Sequence, residues 1–156
     1  MASHQEVVRG LNVEKYMGRW YEIASFPSFF QPKGGVDTRA TYTLRPDDGN
    51  ISVLNEVWVN GRRKSISGIA YKADPRSDEA KLKVRFRIPP DLPFVPVVGD
   101  YWVLYVDDGY QNAVVGHPTR RFLWNPIVGE YLGHLLSVKY YCYKTLVVFS
   151  YVLKTF

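Results

Sequence analysis

The sequence predicts an all-β fold made of about eight short antiparallel strands in a meander. Apolar and polar residues alternate with a period of two in several segments, most clearly over residues 81–88. Turn signals of the Asp-Gly and Asn-Gly type, such as Asn60 and Gly61, separate these segments at short spacing. No segment shows the strand-helix-strand spacing of a parallel sheet. A sandwich and a closed barrel both satisfy this pattern.

The elements are expected in a simple order along the chain. Asn12 is expected to cap one helical turn over residues 13–17, which Gly18 ends. Long loops over residues 27–36 and 89–99 interrupt the meander. The predicted strands are residues 20–26, 37–44, 51–59, 63–73, 81–88, 101–107, 112–117 and a last strand that begins at residue 120.

Composition excludes several classes of protein. The 156 residues, 46% hydrophobic and 15% aromatic, suit one globular domain with a wide apolar interior. A net charge of +5 without a dense basic block argues against a nucleic-acid partner. The single cysteine, Cys142, excludes an intrachain disulfide, and no apolar signal core opens the chain. We therefore expect a reducing, intracellular location.

The side chains that catalysis needs are not grouped in the sequence. The three histidines, His4, His117 and His134, lack the spacing of metal ligands. No serine, histidine and acid form a recognisable catalytic arrangement. We therefore expect no metal, no cofactor and no enzymatic activity.

Residues 125–156 differ in character from the rest of the chain. They contain one of the fifteen acidic residues, Glu130, but five of the twelve tyrosines. Residues 145–153 are apolar without alternation, which fits a buried strand, an aggregation-prone edge or a membrane-surface segment. We predict a division into a β domain over residues 1–124 and a divergent apolar tail over residues 125–156.

Two segments indicate what the β domain presents to its surroundings. Alternation over residues 81–88 places Leu82, Val84 and Phe86 on the inner face, because the cations between them must face outward. The 88–98 loop contains four prolines, which keep it out of a sheet. Apolar residues at its tip predict contact with a membrane or partner, and the alternative is a lid over the barrel mouth. These residues are Leu92, Phe94, Val95 and Val97.

Two motifs resemble those of the lipocalins. They are GLNVEKYMGRWYEIASFP over residues 10–27, which contains Gly18 and Trp20, and GDYWVLY over residues 99–105, followed by Asp107 and Tyr110. The plant temperature-induced group is the most similar, and the bacterial outer-membrane lipocalins and apolipoprotein D are more distant. The resemblance covers residues 7–124 and implies an eight-stranded up-and-down barrel that forms a calyx.

The third lipocalin motif is missing from this chain. Lipocalins carry an arginine at the end of the last barrel strand that packs over the tryptophan of the first motif, and here that strand reads FLWNP over residues 122–126. We therefore expect an interrupted last strand, a divergent tail in place of the C-terminal helix, and no arginine over Trp20. The alternative is that part of residues 139–154 completes the last strand.

Resemblance to the apolipoprotein D pocket implies that Tyr42, Asn55 and Trp102 contact the ligand. Alternation from these positions adds further inner-face residues: Ala40, Leu44, Val53, Val57, Gly68, Ala70 and Leu104. Small residues among them predict an open cavity, and the alternative is a filled core.

The resemblance implies a carrier for a small lipophilic ligand such as a fatty acid, lysolipid, sterol or oxidised lipid. It further implies peripheral membrane contact through the 88–98 loop and a role in temperature and oxidative stress. The implied location is the cytoplasm and the plasma membrane, or the chloroplast under stress. The alternatives are a truncated splice-type product with an unstable barrel that binds no ligand, and a lipid- or carotenoid-modifying enzyme. The oligomeric state and the ligand's identity stay open.

Overall fold

The computed structural model describes residues 6–24, 34–86, 97–118 and 150–154, apart from the side chains of residues 23, 24 and 150–153. Its strands form a closed antiparallel barrel in which each strand pairs with the next and the eighth pairs back with the first. The predicted all-β barrel with one short helical turn is confirmed. The elements are α1 Val13–Tyr16, β1 Gly18–Ala24, β2 Gly35–Leu44, β3 Ile51–Val59, β4 Arg62–Lys72, β5 Lys81–Phe86, β6 Val97–Val106, β7 Asn112–Gly116 and β8 Ser150–Lys154.

The hairpin between β3 and β4 turns at the predicted Asn-Gly pair. Asn60 has φ 51° and Gly61 has φ 72°, the positive values that a two-residue type I′ turn requires. The two strands pair without a register shift from Val59↔Arg62 to Ile51↔Ala70. This unbroken register fixes which side chains of both strands face the interior.

The helical turn α1 closes the end of the barrel where β1 begins. Asn12 caps it, because its side-chain oxygen accepts a hydrogen bond from the backbone N–H of Lys15 at 2.9 Å. The backbone N–H of Asn12 also donates to the Tyr110 hydroxyl at 3.0 Å, which joins α1 to the turn between β6 and β7. We call this end of the barrel the closed end, and the opposite end the mouth.

Strand β6 begins earlier than the sequence predicted. Val97, which we had assigned to the apolar loop, pairs with Phe86 in the sheet, and Val98 pairs with Arg85. Pro96 is the last proline before this point, so the backbone N–H groups that follow are free to join the ladder. The other predicted loop residues, Leu92, Phe94 and Val95, lie outside the described residues.

The eighth strand comes from the end of the tail. Strand β8 pairs with β1 through Trp20↔Lys154 and with β7 through Asn112↔Leu153, and so joins the two edges of the sheet. The strand that we predicted from residue 120 lies outside the described residues. The alternative in which tail residues complete the barrel is therefore the observed one. The division at residue 124 stays a prediction, with β8 contributed from beyond it.

Candidate functional site: the barrel interior

The strand register places the inner-face residues in rows that cross the sheet. One row reads Leu44↔Ile51↔Ala70↔Val84↔Gly99, and the next, nearer the mouth, reads Tyr42↔Val53↔Gly68↔Phe86↔Val97. A third row reads Trp20↔Ala40↔Asn55↔Ile66. Directly opposed residues share a face, so the interior is lined mainly by apolar and small side chains.

Three tyrosines form the floor of the interior at the closed end. The hydroxyls of Tyr16 and Tyr101 are hydrogen-bonded at 2.8 Å, and the Tyr42 hydroxyl donates to that of Tyr101 at 3.1 Å. The three rings border a cavity of about 10 Å³, which is room for about one water molecule. Ile51, Ala70, Leu82 and Val84 complete its walls.

These tyrosines stay neutral over the physiological pH range. Burial raises the pKa of Tyr42 to about 12. Burial likewise raises the pKa values of Tyr16 and Tyr101 well above the ordinary value of a tyrosine. These three side chains therefore offer uncharged hydroxyls and apolar surface to anything that enters the barrel.

Above the floor the interior is open. Ile66 and Val97 lie on the inner face, yet each keeps 37% of its surface exposed. At Gly99, in the row of Ala70 and Val84, no described atom other than those of its chain neighbours lies within 4 Å of the position that a Cβ would take. An inner-face side chain that remains exposed indicates a lumen that opens toward the mouth.

Among the described residues, one buried side-chain atom on the lumen wall has no hydrogen-bond partner. Asn55 opposes Ala40 and Ile66 in the inner-face rows. Its side-chain oxygen is buried and has no hydrogen-bond partner among the described residues. An unsatisfied buried acceptor is costly, so this oxygen favours a ligand or a water molecule that can donate to it.

Gly68 does not leave the free space that we predicted from its size. The ring of Phe86 lies over it, and a Cβ at Gly68 would come within 2.8 Å of the Phe86 Cδ1 and 2.7 Å of the Arg85 backbone oxygen. The space beside Gly68 is therefore filled by its cross-strand neighbour, Phe86. Ala70, another of the small residues on which we based an open cavity, borders the small cavity at the floor.

Trp102 and Leu104 were assigned to the wrong phase of β6. Tyr101 opposes the inward-facing Leu82, so it faces the interior, and Trp102 faces outward beside Lys81. The Lys81 ammonium lies 4.7 Å from the Trp102 ring centroid. A register shift between Val103 and Tyr105 makes Leu104 an extra residue in a bulge, so alternation does not place it inward.

The first and last strands meet around Trp20 at the closed end. Trp20 is fully buried, and its indole N–H donates to the Tyr16 backbone oxygen at 2.8 Å. The Lys154 ammonium lies 6.0 Å from the Trp20 ring centroid and donates to the Lys15 backbone oxygen at 2.6 Å. A lysine from β8 thus supplies the cation near Trp20 that the missing arginine would have provided.

Gly18 allows the lysine to approach. Its φ is 113°, a value that favours glycine, and a Cβ there would lie 2.9 Å from the Lys154 Cε. The backbone N–H of Lys154 also donates to the Gln111 backbone oxygen at 2.9 Å, next to the turn between β6 and β7. The glycine and the lysine therefore form one packing unit with Trp20.

Asp107 organises the turn between β6 and β7. Its carboxylate accepts hydrogen bonds from the backbone N–H groups of Gln111 at 2.7 Å and Asn112 at 2.9 Å. Burial opposes ionisation, but these hydrogen bonds outweigh it and hold the pKa of Asp107 below its usual value. The four predicted motif residues, Gly18, Trp20, Asp107 and Tyr110, thus all act at the closed end.

On the outer face, cations are held by acids. The Glu56 carboxylate is buried and accepts hydrogen bonds from Arg39 at 2.8 Å and from Arg63 at 3.0 Å. The hydrogen bond from Arg39 is the largest effect that lowers the pKa of Glu56, and burial opposes it. Lys81 pairs with Glu79 at 2.7 Å, and Lys83 pairs with Asp100 at 2.8 Å. Two of the outward-facing cations of residues 81–88 are therefore paired with acids.

The sequence matches one family model and several known proteins. A family model described as a lipocalin-like domain matches residues 11–125. Temperature-induced lipocalin-1 of Arabidopsis thaliana is 72% identical over 119 residues, which cover 76% of this chain and 63% of the relative. The outer membrane lipoprotein Blc of Citrobacter freundii is 39% identical, with 76% and 62% covered. The chain therefore spans less than two thirds of the length of these relatives.

Solved structures show the same fold at low sequence identity. Insecticyanin from the tobacco hornworm Manduca sexta superposes with a TM-score of 0.68 at 18% identity, covering 100% of this chain and 86% of that one. The cockroach allergen Per a 4 superposes with a TM-score of 0.58 at 16% identity, covering 98% and 94%. The family match ends at residue 125, whereas the eighth strand lies at Ser150–Lys154.

Proposed function

Since the chain belongs to the lipocalin-like domain family, we propose that it binds a small lipophilic molecule in the lumen of its barrel. The observation that supports this most is the open space above the tyrosine floor, where Ile66 is exposed on the inner face and Gly99 has no described neighbour within 4 Å of its Cβ position. Apolar walls with a few polar groups are typical of a small-molecule site.

The proposed ligand is a fatty acid, lysolipid, sterol or oxidised lipid. The unpartnered oxygen of Asn55 supports a ligand that carries a hydrogen-bond donor at mid-depth. Trp102 and Leu104 leave the set of proposed contacts because of the β6 register. The remaining proposed contacts are Ala40, Tyr42, Leu44, Val53, Asn55, Val57, Gly68, Ala70, Leu82, Val84 and Phe86.

Peripheral membrane contact at the mouth is a second part of the proposal. At the end of the loop that we predicted over residues 88–98, Val98 keeps 46% of its surface exposed and pairs with the exposed Arg85 at the start of β6. An apolar and a cationic side chain together favour an anionic lipid surface. Within the described ranges, no helix is long and apolar enough to cross a membrane. The proposal includes a location in the cytoplasm and at the plasma membrane, or in the chloroplast under stress. It also includes a role in temperature and oxidative stress.

A carrier is proposed in preference to the two alternatives. Pairing of β8 with both β1 and β7 supports a barrel with joined edges over a truncated product with an open seam. The neutral tyrosine floor and the apolar walls support binding over the acid and base chemistry of a lipid- or carotenoid-modifying enzyme.

Ligand binding is tested by titrating the purified chain with cis-parinaric acid, a fluorescent polyene fatty acid. Gly99→Leu fills the open lumen, so we expect it to weaken saturable binding by about tenfold or more, because the added side chain occupies the ligand's volume. Gly109→Leu places the same side chain in the turn at the closed end and serves as the control. Unchanged binding by Gly99→Leu, or no binding by the natural chain, would count against the proposal.

Membrane contact is tested by flotation with vesicles that contain phosphatidylserine. We expect Phe94→Asp to reduce the floated fraction, since a carboxylate at the loop tip opposes both insertion and the anionic surface. Tyr105→Asp, at an exposed apolar side chain near the closed end, is the matched control. Equal flotation of both variants and the natural chain would refute docking through this loop.

A further inference from the structure

Two cationic residues lie on the inner face of the barrel at its mouth. Lys64 opposes Val57 and Arg62 opposes Val59 in the unbroken register of β3 and β4. They alternate in phase with Ala70, which borders the floor cavity, so both occupy inner-face positions. Both side chains are exposed, as expected at the rim of an open lumen.

Several other cations on the barrel wall have a counter-charge. Arg39 and Arg63 are held by Glu56, Lys83 by Asp100, and Lys81 by Glu79 on the outer face. Within the described part of the chain, no carboxylate forms an ion pair with Arg62 or Lys64. The inner rim therefore carries two positive charges that remain available to an anion.

The polarity of the lumen changes along its depth. Ile66 and Gly68 follow Lys64 on the inner face of β4, and Ala70 follows at the floor. At the usual rise of a strand, Lys64 lies about 20 Å from Ala70 along β4. The three floor tyrosines are uncharged, because burial raises their pKa values, and the negative charge of Glu22 lies close enough to raise the pKa of Tyr42 as well. A buried carboxylate there would find no cation, whereas one at the mouth finds two.

We propose that Arg62 and Lys64 bind the anionic head group of an amphiphilic ligand, a carboxylate or a phosphate, while its apolar chain lies in the lumen toward the tyrosine floor. The proposal rests on the proposed lipid-binding function and adds the ligand's charge and direction. Both cations are exposed, so the attraction is moderate and weakens with added salt.

The test compares cis-parinaric acid with its uncharged methyl ester on the full chain at pH 8 and low salt. The variant Arg62→Gln/Lys64→Gln removes the two inner-rim charges. The control Arg76→Gln/Arg85→Gln removes the same net charge from an exposed turn and from the outer face of β5. We expect the first variant to raise the Kd of the acid about three- to tenfold, with the ester unchanged and the control like the natural chain.

The outcomes separate this proposal from the proposed function. Three results would overturn the head-group site while lipid binding stands. The inner-rim variant could lose acid and ester binding equally, it could bind the acid as the natural chain does, or the control variant could show the same loss. If the natural chain binds neither probe, the proposed function fails and the head-group site fails with it. Adding 0.5 M salt should also weaken binding of the acid, but not of the ester, in the natural chain. Surface charges interact over about 10 Å at 0.1 M salt and over a shorter distance at 0.5 M.

Discussion

Trp20 is packed by residues from both ends of the chain. The Trp20 and Tyr16 ring centroids lie 4.9 Å apart with the rings tilted by 34°, and the Lys154 ammonium lies 6.0 Å from the Trp20 ring centroid. The lysine also donates to the Lys15 backbone oxygen near the end of α1, where carbonyl groups lack helical partners. One side chain thus contacts both the tryptophan and the helix that closes the barrel.

We expect Lys154→Ala to lower the free energy of unfolding by about 1–2 kcal/mol, because it removes a cation near an aromatic ring and a hydrogen bond to a carbonyl. Lys154→Arg should retain most of this stability, since a guanidinium can make both contacts. Urea unfolding followed by tryptophan fluorescence measures the difference. If alanine and arginine variants unfold at the same midpoint as the natural chain, Lys154 does not secure Trp20.

Gly68 and Gly99 make a matched pair on the inner face. A Cβ at Gly68 would meet the Arg85 backbone oxygen at 2.7 Å, whereas one at Gly99 would meet no described atom within 4 Å. We expect Gly68→Ala to destabilise the barrel by about 1–3 kcal/mol, because a backbone atom cannot move aside as a flexible side chain can. Gly99→Ala should leave the urea midpoint nearly unchanged. Equal midpoints for both variants would contradict this packing.

At the scale of elements, β8 determines whether the sheet closes. Its backbone pairs with Trp20, Tyr21 and Glu22 of β1 on one side and with β7 on the other, although a register shift interrupts the pairing near Ala24. A strand with two neighbours has no free edge, so its pairing removes two edges from solvent at once. Closure of this barrel therefore depends on a segment beyond the family match.

We expect Val152→Pro to destabilise the chain by about 3 kcal/mol or more, because proline removes a ladder hydrogen bond in a strand that is paired on both sides. Val152→Thr keeps the backbone N–H and the branched side chain, and should cost much less. Hydrogen exchange of the β1 and β7 amides reports on pairing, and urea unfolding reports on stability. A proline variant with natural exchange rates would show that β8 does not close the barrel.

At the scale of the whole molecule, buried and hydrogen-bonded carboxylates link stability to pH. The hydrogen bond from Arg39 lowers the pKa of Glu56, and backbone hydrogen bonds lower the pKa of Asp107 despite its burial. The folded state then binds fewer protons than the unfolded state. The stability these groups contribute is complete above their unfolded pKa values of about 4 and is lost as the pH falls through the lower folded values.

We therefore expect the urea midpoint to be constant from pH 7 to 5 and to fall as the pH drops below about 4. Glu56→Gln should lower the midpoint at pH 7, since Arg39 and Arg63 lose the negative charge and one of the two acceptor oxygens that they share, and should reduce the further loss in acid. Glu14→Gln, at an exposed acid of α1, is the control. A variant whose acid dependence equals that of the natural chain would show that Glu56 contributes nothing to it.

Much of the fold was predictable because local rules govern it. The Asn60 and Gly61 turn, the Asn12 cap and the alternation of Leu82, Val84 and Phe86 all depend on neighbours along one or two strands. The inner face of β6 was not predictable, because phase depends on where its pairing with β5 begins. The tyrosine floor was missed for the same reason, since choosing Trp102 as inward placed Tyr101 outward.

The sequence by itself determined the all-β class, the meander order and the Gly18 and Trp20 motif, since each follows from turn chemistry, alternation or a local signature. Only the tertiary structure decided what covers Trp20 and what closes the barrel. Lys154 and Trp20 are far apart along the chain, and their contact follows from strand pairing rather than from any local pattern. The tertiary structure also decided which cations form ion pairs. Glu56 pairs with two outer arginines, whereas Arg62 and Lys64 on the inner rim form no ion pair among the described residues.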